Sequence, residues 1–96
     1  MSDNLAAAEA ALSEKLEGER LQGSIRFDVA DEGVLRVVDG RVTREDGAAD
    51  ATISGSLDTF RAIFEGRLSP MAAYMTGRVR IDGDLGAAMR FGQALG

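Results

Sequence analysis

Asp82, Gly83 and Asp84 set two carboxylates one residue apart, a spacing that resembles the start of a calcium loop. Such a loop also needs a glutamate at its twelfth position, and none stands there. The stretch therefore reads as a turn followed by a helix cap from Asp84. Adjacent carboxylates recur at Asp31 and Glu32, and at Glu45 and Asp46. Paired acids can divide general acid and base roles, but both pairs fall in turns, where solvation accounts for them. The glycines of "GDLG", residues 83–86, are too few for a phosphate loop and lack its lysine. An anion at the following helix N-terminus is the alternative, with Asp84 competing for the same amides.

Nucleophilic chemistry is short of parts. The chain contains no histidine and no cysteine. A Ser/His or Cys/His pair therefore cannot form, and a disulfide framework or thiolate-held metal is excluded. No serine sits in a nucleophile-elbow setting. The reading is a non-enzyme that needs no cofactor and no metal.

The softer residues carry more information. In "SPMAAYMTG", residues 69–77, Met71, Tyr74 and Met75 follow the only proline of the chain. With Phe60, Ile63, Phe64, Met89 and Phe91 they give the second half an adaptable apolar surface, because a methionine thioether is flexible and polarizable. Two readings fit these side chains: they fill a core, or they line a space for a ligand. Gly86 and Gly92 weaken the last helix by about 1 kcal/mol each relative to alanine.

Composition narrows the partners. The 96 residues are 45% apolar and 28% charged, as expected for one folded domain spanning 1–96. The net charge of −5 argues against nucleic acid, whose phosphates need a basic face, and against standing attachment to anionic membranes. Lys15 is the only lysine among eleven basic residues, so no polybasic segment exists. No stretch approaches the roughly 20 apolar residues of a membrane span. "LAAAEAAL", residues 5–12, has no basic segment before it and does not read as a signal peptide. A cytoplasmic monomer is expected.

Periodicity supplies the elements. Leu5, Ala8, Leu12 and Leu16 recur at helical spacing over residues 2 to about 21, with Ser2 or Asp3 as cap and Gly18 or Gly23 as stop. Ile25, Phe27 and Val29 alternate with Arg26 and Asp28, the mark of a half-buried strand. "VLRVV" and "RVTRE" follow as strands about a hairpin signal at Asp39 and Gly40. A second Asp-Gly, at 46 and 47, turns the chain into a fourth strand carrying Ile53, which extends the antiparallel meander. Ser56 then caps a helix with Leu57, Phe60, Ile63 and Phe64 on one side, closed by Gly66. Ser69 and Pro70 start a short helix that stops at Gly77. "RVRID" is the fifth strand, with Val79 and Ile81 inward, free to pair in parallel after its helical crossover. The last helix puts Leu85, Ala88, Met89 and Leu95 on one face. The fold class is α+β, with helices mainly on one face of a twisted sheet.

Residues 49–95, "ADATISGSLDTFRAIFEGRLSPMAAYMTGRVRIDGDLGAAMRFGQAL", closely resemble the sterol carrier protein 2 family. The shared features are the "ADATI" strand, the aromatic helix ending in glycine, and G-x-L-x-P-x-A-A-x-M-x-G over residues 66–77. The basic strand and x-G-D-L-G-x-A-M over residues 82–89 follow in register. The first half agrees in the order of its elements, with shorter strands and linker than in animal members.

The resemblance implies a five-stranded, mostly antiparallel sheet covered by helices that enclose an apolar tunnel for a lipid tail. Ligands of the family include sterols, fatty acids, fatty acyl-CoA and phospholipids. Phe60, Phe64, Met71, Tyr74, Met75, Ile81, Leu85 and Met89 would then border the cavity, with Phe27, Leu35 and Val37 as its sheet wall. Arg67, Arg78, Arg80 and Arg90 surround the helical region, and Arg78 and Arg80 are candidates for head-group contact, against the alternative of solvated faces. The ending "ALG" lacks the peroxisomal address of eukaryotic members, so a bacterial protein with a fatty-acyl or phospholipid ligand and at most transient membrane contact is expected. A structural or protein-interaction domain with a filled core, or an accessory domain of an enzyme, are the rivals.

Overall fold

The computed structural model describes residues 3–19 and 21–95. Helix α1 spans Asn4–Leu16, and its N-cap Asp3 accepts a hydrogen bond from the Ala6 amide; Ser2 lies outside the described residues. The helix stops five residues short of the expected Leu21, where Gly18 takes a φ of 81°. Leu5, Ala8, Leu12 and Leu16 are its buried face, as their spacing predicts.

Strands β1 (Ser24–Val29), β2 (Gly33–Val38) and β3 (Arg41–Thr43) form an antiparallel meander. Asp39 and Gly40 join β2 to β3 with φ values of 49° and 85°, the two left-handed residues of a tight hairpin turn. The meander ends there. Strand β4 (Ala51–Gly55) lies on the other side of β1 and pairs with it in parallel, Ile25 opposite Ala51 through Val29 opposite Gly55. Strand β5 (Val79–Gly83) pairs antiparallel with β4, and the sheet order is β3-β2-β1-β4-β5. The parallel pair is thus β1 with β4, where the sequence pattern pointed to β5.

The reason is the segment 44–50, which joins an edge strand to a place three strands away. It is tied down along its length by side chains from elements it passes. Arg44 binds Asp3 at 2.7 Å and Glu9 at 3.1 Å on α1. Arg26 binds Asp46 at 2.7 Å, and Arg36 donates to the Ala48 carbonyl at 3.1 Å. Arg26 and Arg36 are cross-strand partners in β1 and β2 and alternate with the buried Phe27, Leu35 and Val37. The crossover therefore runs over the face of the sheet opposite the core. Asp46 and Gly47 act in this strap, and no hairpin forms at them.

The core side of the sheet carries the helices. Helix α2 (Leu57–Phe64) is capped by Ser56 and α3 (Pro70–Met75) by Ser69, with proline in the first turn. Helix α4 (Leu85–Leu95) receives its cap from Asp84, whose carboxylate accepts from the Ala87 amide at 3.1 Å. The core joins α1, the inward residues of β1 and β2, Phe60, Ile63 and Phe64 of α2, and Ala88, Phe91 and Leu95 of α4.

The strap has an acid-sensitive clasp. The hydrogen bond from Arg26 holds the Asp46 carboxyl below its ordinary pKa. A depressed carboxylate stabilises the fold above its unfolded pKa and loses that contribution as pH falls below about 4. Asp46→Asn is expected to lower stability near neutral pH and to make the acid-side decline shallower. Urea melts of both proteins across the acid range check this.

Candidate functional site

Over β4 and β5 the helices do not close onto the sheet. Residues Ile53 and Ile81 point to the helix side there and are only partly buried. Between them and α2, α3 and α4 lies a cavity of about 450 Å³. That is within the roughly 300–1,000 Å³ usual for small-molecule pockets. It takes the form of a pocket with a mouth at α3, where Met71 and Tyr74 line it while 45% and 41% exposed. An enclosed tunnel is not seen among the described residues.

Aromatic rings form the inner wall. Phe27 stands at the centre, edge-on to Phe60 and Phe64 at 5.4 and 5.3 Å and tilted against Phe91 at 5.5 Å. Edge-to-face rings at such distances are favourable beyond their buried area. All four are essentially buried, and Phe27, Phe60 and Phe64, each packed on the other two, make the rigid part of this wall. The outer wall is softer: Met71, Met89, Leu68 and Pro70 line it. Gly92 is where α4 passes α3, and a Cβ there would stand in ordinary contact with the Pro70 ring, 3.6 Å away.

One charged side chain reaches the lining. Lys15, in the last turn of α1, faces Gly66, whose φ of 81° ends the α2 region; a Cβ at Gly66 would stand 3.5 Å from the ammonium. No carboxylate lines the pocket, and Lys15 makes no ion pair among the described residues. The other polar side chains are Tyr74, Gln93 and Ser69, the last already used as the α3 cap.

Of the residues singled out by sequence, Phe27, Phe60, Phe64, Met71, Tyr74, Ile81 and Met89 come together at the pocket. Four do not. Leu35 and Val37 share the inward face of the sheet with Phe27 but belong to β2, where they are 0% and 2% exposed and away from this pocket. Met75 is 77% exposed. The inward side of α3 is centred on Ala73, Pro70 and Tyr74, Met71 is at its margin, and Met75 stands roughly 40° further round. Leu85 is 47% exposed because the buried face of α4 runs through Ala88, Phe91 and Leu95, spaced three and four apart.

Arg78 and Arg80 are also absent from the lining. Val79 and Ile81 point inward, so alternation turns Arg80 to the opposite face, and Arg78 sits in the turn after α3. Arg67 is engaged by Glu65 at 2.8 Å, and its hydrogen bond is the main cause that holds that carboxyl below its ordinary pKa. Ile53, Val79 and Leu95, read from periodicity only as core-facing positions, line the pocket too, and Lys15 joins them with no periodic signal of its own. Lys15 lies 51 residues before Gly66, and no local pattern joins them.

A helix-roofed mixed sheet with an apolar pocket between roof and strands is the architecture of a small ligand-binding domain. The family model of the SCP-2 sterol transfer family matches residues 3–96, and the chain belongs to that family, a lipid-binding one. A relative, sterol carrier protein 2 of Arabidopsis thaliana, is 38% identical over 66 aligned residues, covering 62% of this chain and 54% of the plant protein. The chain thus matches about half the length of that relative. Among solved structures, sterol carrier protein 2 like 2 of Aedes aegypti superposes with a TM-score of 0.78 at 15% identity over 94% of both chains. Sterol carrier protein 2 of the same mosquito, in complex with palmitate, gives a TM-score of 0.75 at 18% identity, covering 99% of this chain and 96% of the other. The α+β fold expected from the resemblance is the fold observed.

Wall and mouth should respond differently to truncation. Phe27→Ala removes the ring that three others pack on and is expected to cost about 3–5 kcal/mol. Met71→Ala, at the half-exposed mouth, is expected to change stability by less than about 0.5 kcal/mol. Denaturant melts of the ligand-free protein measure both.

Proposed function

We propose that the domain holds a single long-chain lipid with an anionic head, a fatty acid foremost, and carries it without transforming it. The observation that supports this is the 450 Å³ pocket itself: an aromatic inner wall, a methionine-bearing outer wall, and at its side one cation without an ion pair among the described residues. Burying methylenes there is favourable by about 0.8 kcal/mol each, roughly a fourfold step in Kd. A carboxylate or phosphate gives the Lys15 ammonium a partner that no protein group in the lining supplies. Acyl-CoA, phospholipid and sterol-like ligands share the apolar term. The palmitate held by the mosquito relative agrees with the preference for a fatty acid. A carrier fits better than an enzyme, because the lining offers neither histidine nor carboxylate as a general base.

Delipidated protein is expected to bind hexadecanoic acid at one per chain, with a negative ΔCp from apolar burial. Lys15→Met, which keeps a flexible stem of similar length, should weaken the acid about tenfold and leave hexadecanol nearly unchanged. Isothermal titration of both ligands decides it. Absence of saturable binding rejects the carrier reading, and equal losses for acid and alcohol reject the role of Lys15.

The mouth points to how a ligand is exchanged. Met71, Tyr74, Met75 and Leu85 are the exposed large apolar side chains among the described residues. Met71 and Tyr74 stand in the mouth, Met75 follows on α3, and Leu85 is one helical turn before the lining residue Met89. We read this rim as the part of a monomer that touches a lipid surface briefly. Met75→Glu is expected to slow transfer of a fluorescent fatty acid between vesicles severalfold while its equilibrium binding stays unchanged, because Met75 lies outside the pocket. An unchanged transfer rate excludes this rim.

A further inference from the structure

A second hollow, of about 610 Å³, lies on the other flank of α4. The lipid pocket takes Ala88, Met89 and Gly92 from this helix, whereas the second hollow takes Ala87 and Arg90. Phe91 and Gln93 line both. Beneath them, Phe27 belongs to the first space and Ile25 to the second. These two side chains are neighbours on the same face of β1, roughly 7 Å apart along the strand. The boundary between the two spaces is therefore about one side chain thick.

That side chain is Phe91. It is 5% exposed and projects from α4 against Phe27 at 5.5 Å, tilted by 58°. Phe60 and Phe64, by contrast, are each packed on Phe27 and on each other. Phe91 has one ring neighbour and open space on two sides, so turning it aside breaks one aromatic contact. The inner wall of the second hollow is apolar, with Leu21 and Ala87 beside Ile25 and Val37, which are themselves nearly covered at 4% and 2% exposed. Its rim is polar, carrying Gln22, Ser24, Asp50 and Arg90.

We propose that Phe91 sets the chain length the domain accepts, and that the far end of a longer acyl chain passes beneath α4 into this second hollow. The inference rests on the lipid-carrier reading and adds a specificity-determining residue and a subsite for the tail. The ring closes the first pocket to a chain that fits within it. A chain that outgrows the pocket displaces the ring and gains apolar wall on the other side.

The test is a series of saturated acids from decanoic to docosanoic, titrated into the delipidated whole chain. With the native protein, affinity should rise roughly fourfold per methylene and then level off. Phe91→Leu should move that levelling to longer acids, and Phe91→Trp should move it to shorter ones. Adding Ala87→Leu to Phe91→Leu should bring the limit back, because residue 87 lines only the second hollow. Should Phe91→Leu fail to fold in a thermal melt, Phe91→Trp and Ala87→Leu alone remain decisive. An unchanged limit in every folded variant overturns the proposal while leaving the carrier reading intact. Absence of binding at every length in the native protein overturns the carrier reading and this inference together.

Discussion

The parallel pairing of β1 with β4 is the constraint on which the rest of the domain depends. It makes β1 the central strand and separates a β2–β3 half from a β4–β5 half. It also requires a crossover, and the strap held by Arg26, Arg36 and Arg44 occupies the outer face of the sheet. The four helices of the described residues then lie on the remaining face. Helix α1 closes its share with three leucines and an alanine at close approach. The other half is roofed by three helices, of which α3 offers only Ala73 as a fully buried side chain. A small residue there keeps α3 near its neighbours but fills little volume. The pocket is the space left over by that geometry.

Core and pocket share one set of aromatic rings, and this couples folding to binding. Phe27, Phe60 and Phe64 are already buried without a ligand, so they hold the wall in place beforehand. Preorganised walls reduce the ordering cost of binding. Ile53 and Ile81, only partly covered, are the surfaces that gain most when a tail enters. Their uncovered apolar area is unfavourable at roughly 25 cal/mol per Å², and a ligand relieves it. Anything that binds only the folded state also stabilises that state. A carrier of this kind is most stable when loaded.

Local signals were legible in the sequence where the chemistry is local. The turn at Asp39 and Gly40, the caps Ser56 and Asp84, and the Ser69 and Pro70 start of α3 all depend on a few adjacent residues. The position of β4 does not, because an Asp-Gly pair at 46 and 47 looks the same in a hairpin and in a crossover. What distinguishes them is Arg26 and Arg36 beneath the segment, ten and more residues away. The site divides in the same manner. Phe60 and Phe64 follow from the amphipathic face of α2, whereas a six-residue helix such as α3 has too few turns to fix its inward direction. The resemblance implies Met75 on α3 and Leu85 at the start of α4 as cavity residues, and both stand outside the pocket. Leu35 and Val37 have the right face of the sheet but the wrong half, and only the strand order shows which half that is.

Three methionines report on the pocket from different places, and this permits a direct measurement. Met71 and Met89 line the space, while Met75 is 77% exposed on the same helix as Met71. Methyl resonances of protein labelled with [methyl-13C]methionine, followed during titration with hexadecanoic acid, resolve these sites individually. The account predicts that the Met71 and Met89 methyls shift in step and saturate at one acid per chain, with the Met75 methyl nearly stationary. A shift confined to Met75, or saturation without any change at Met71 and Met89, would contradict it, because the lipid would then lie outside the space between the helices and the sheet.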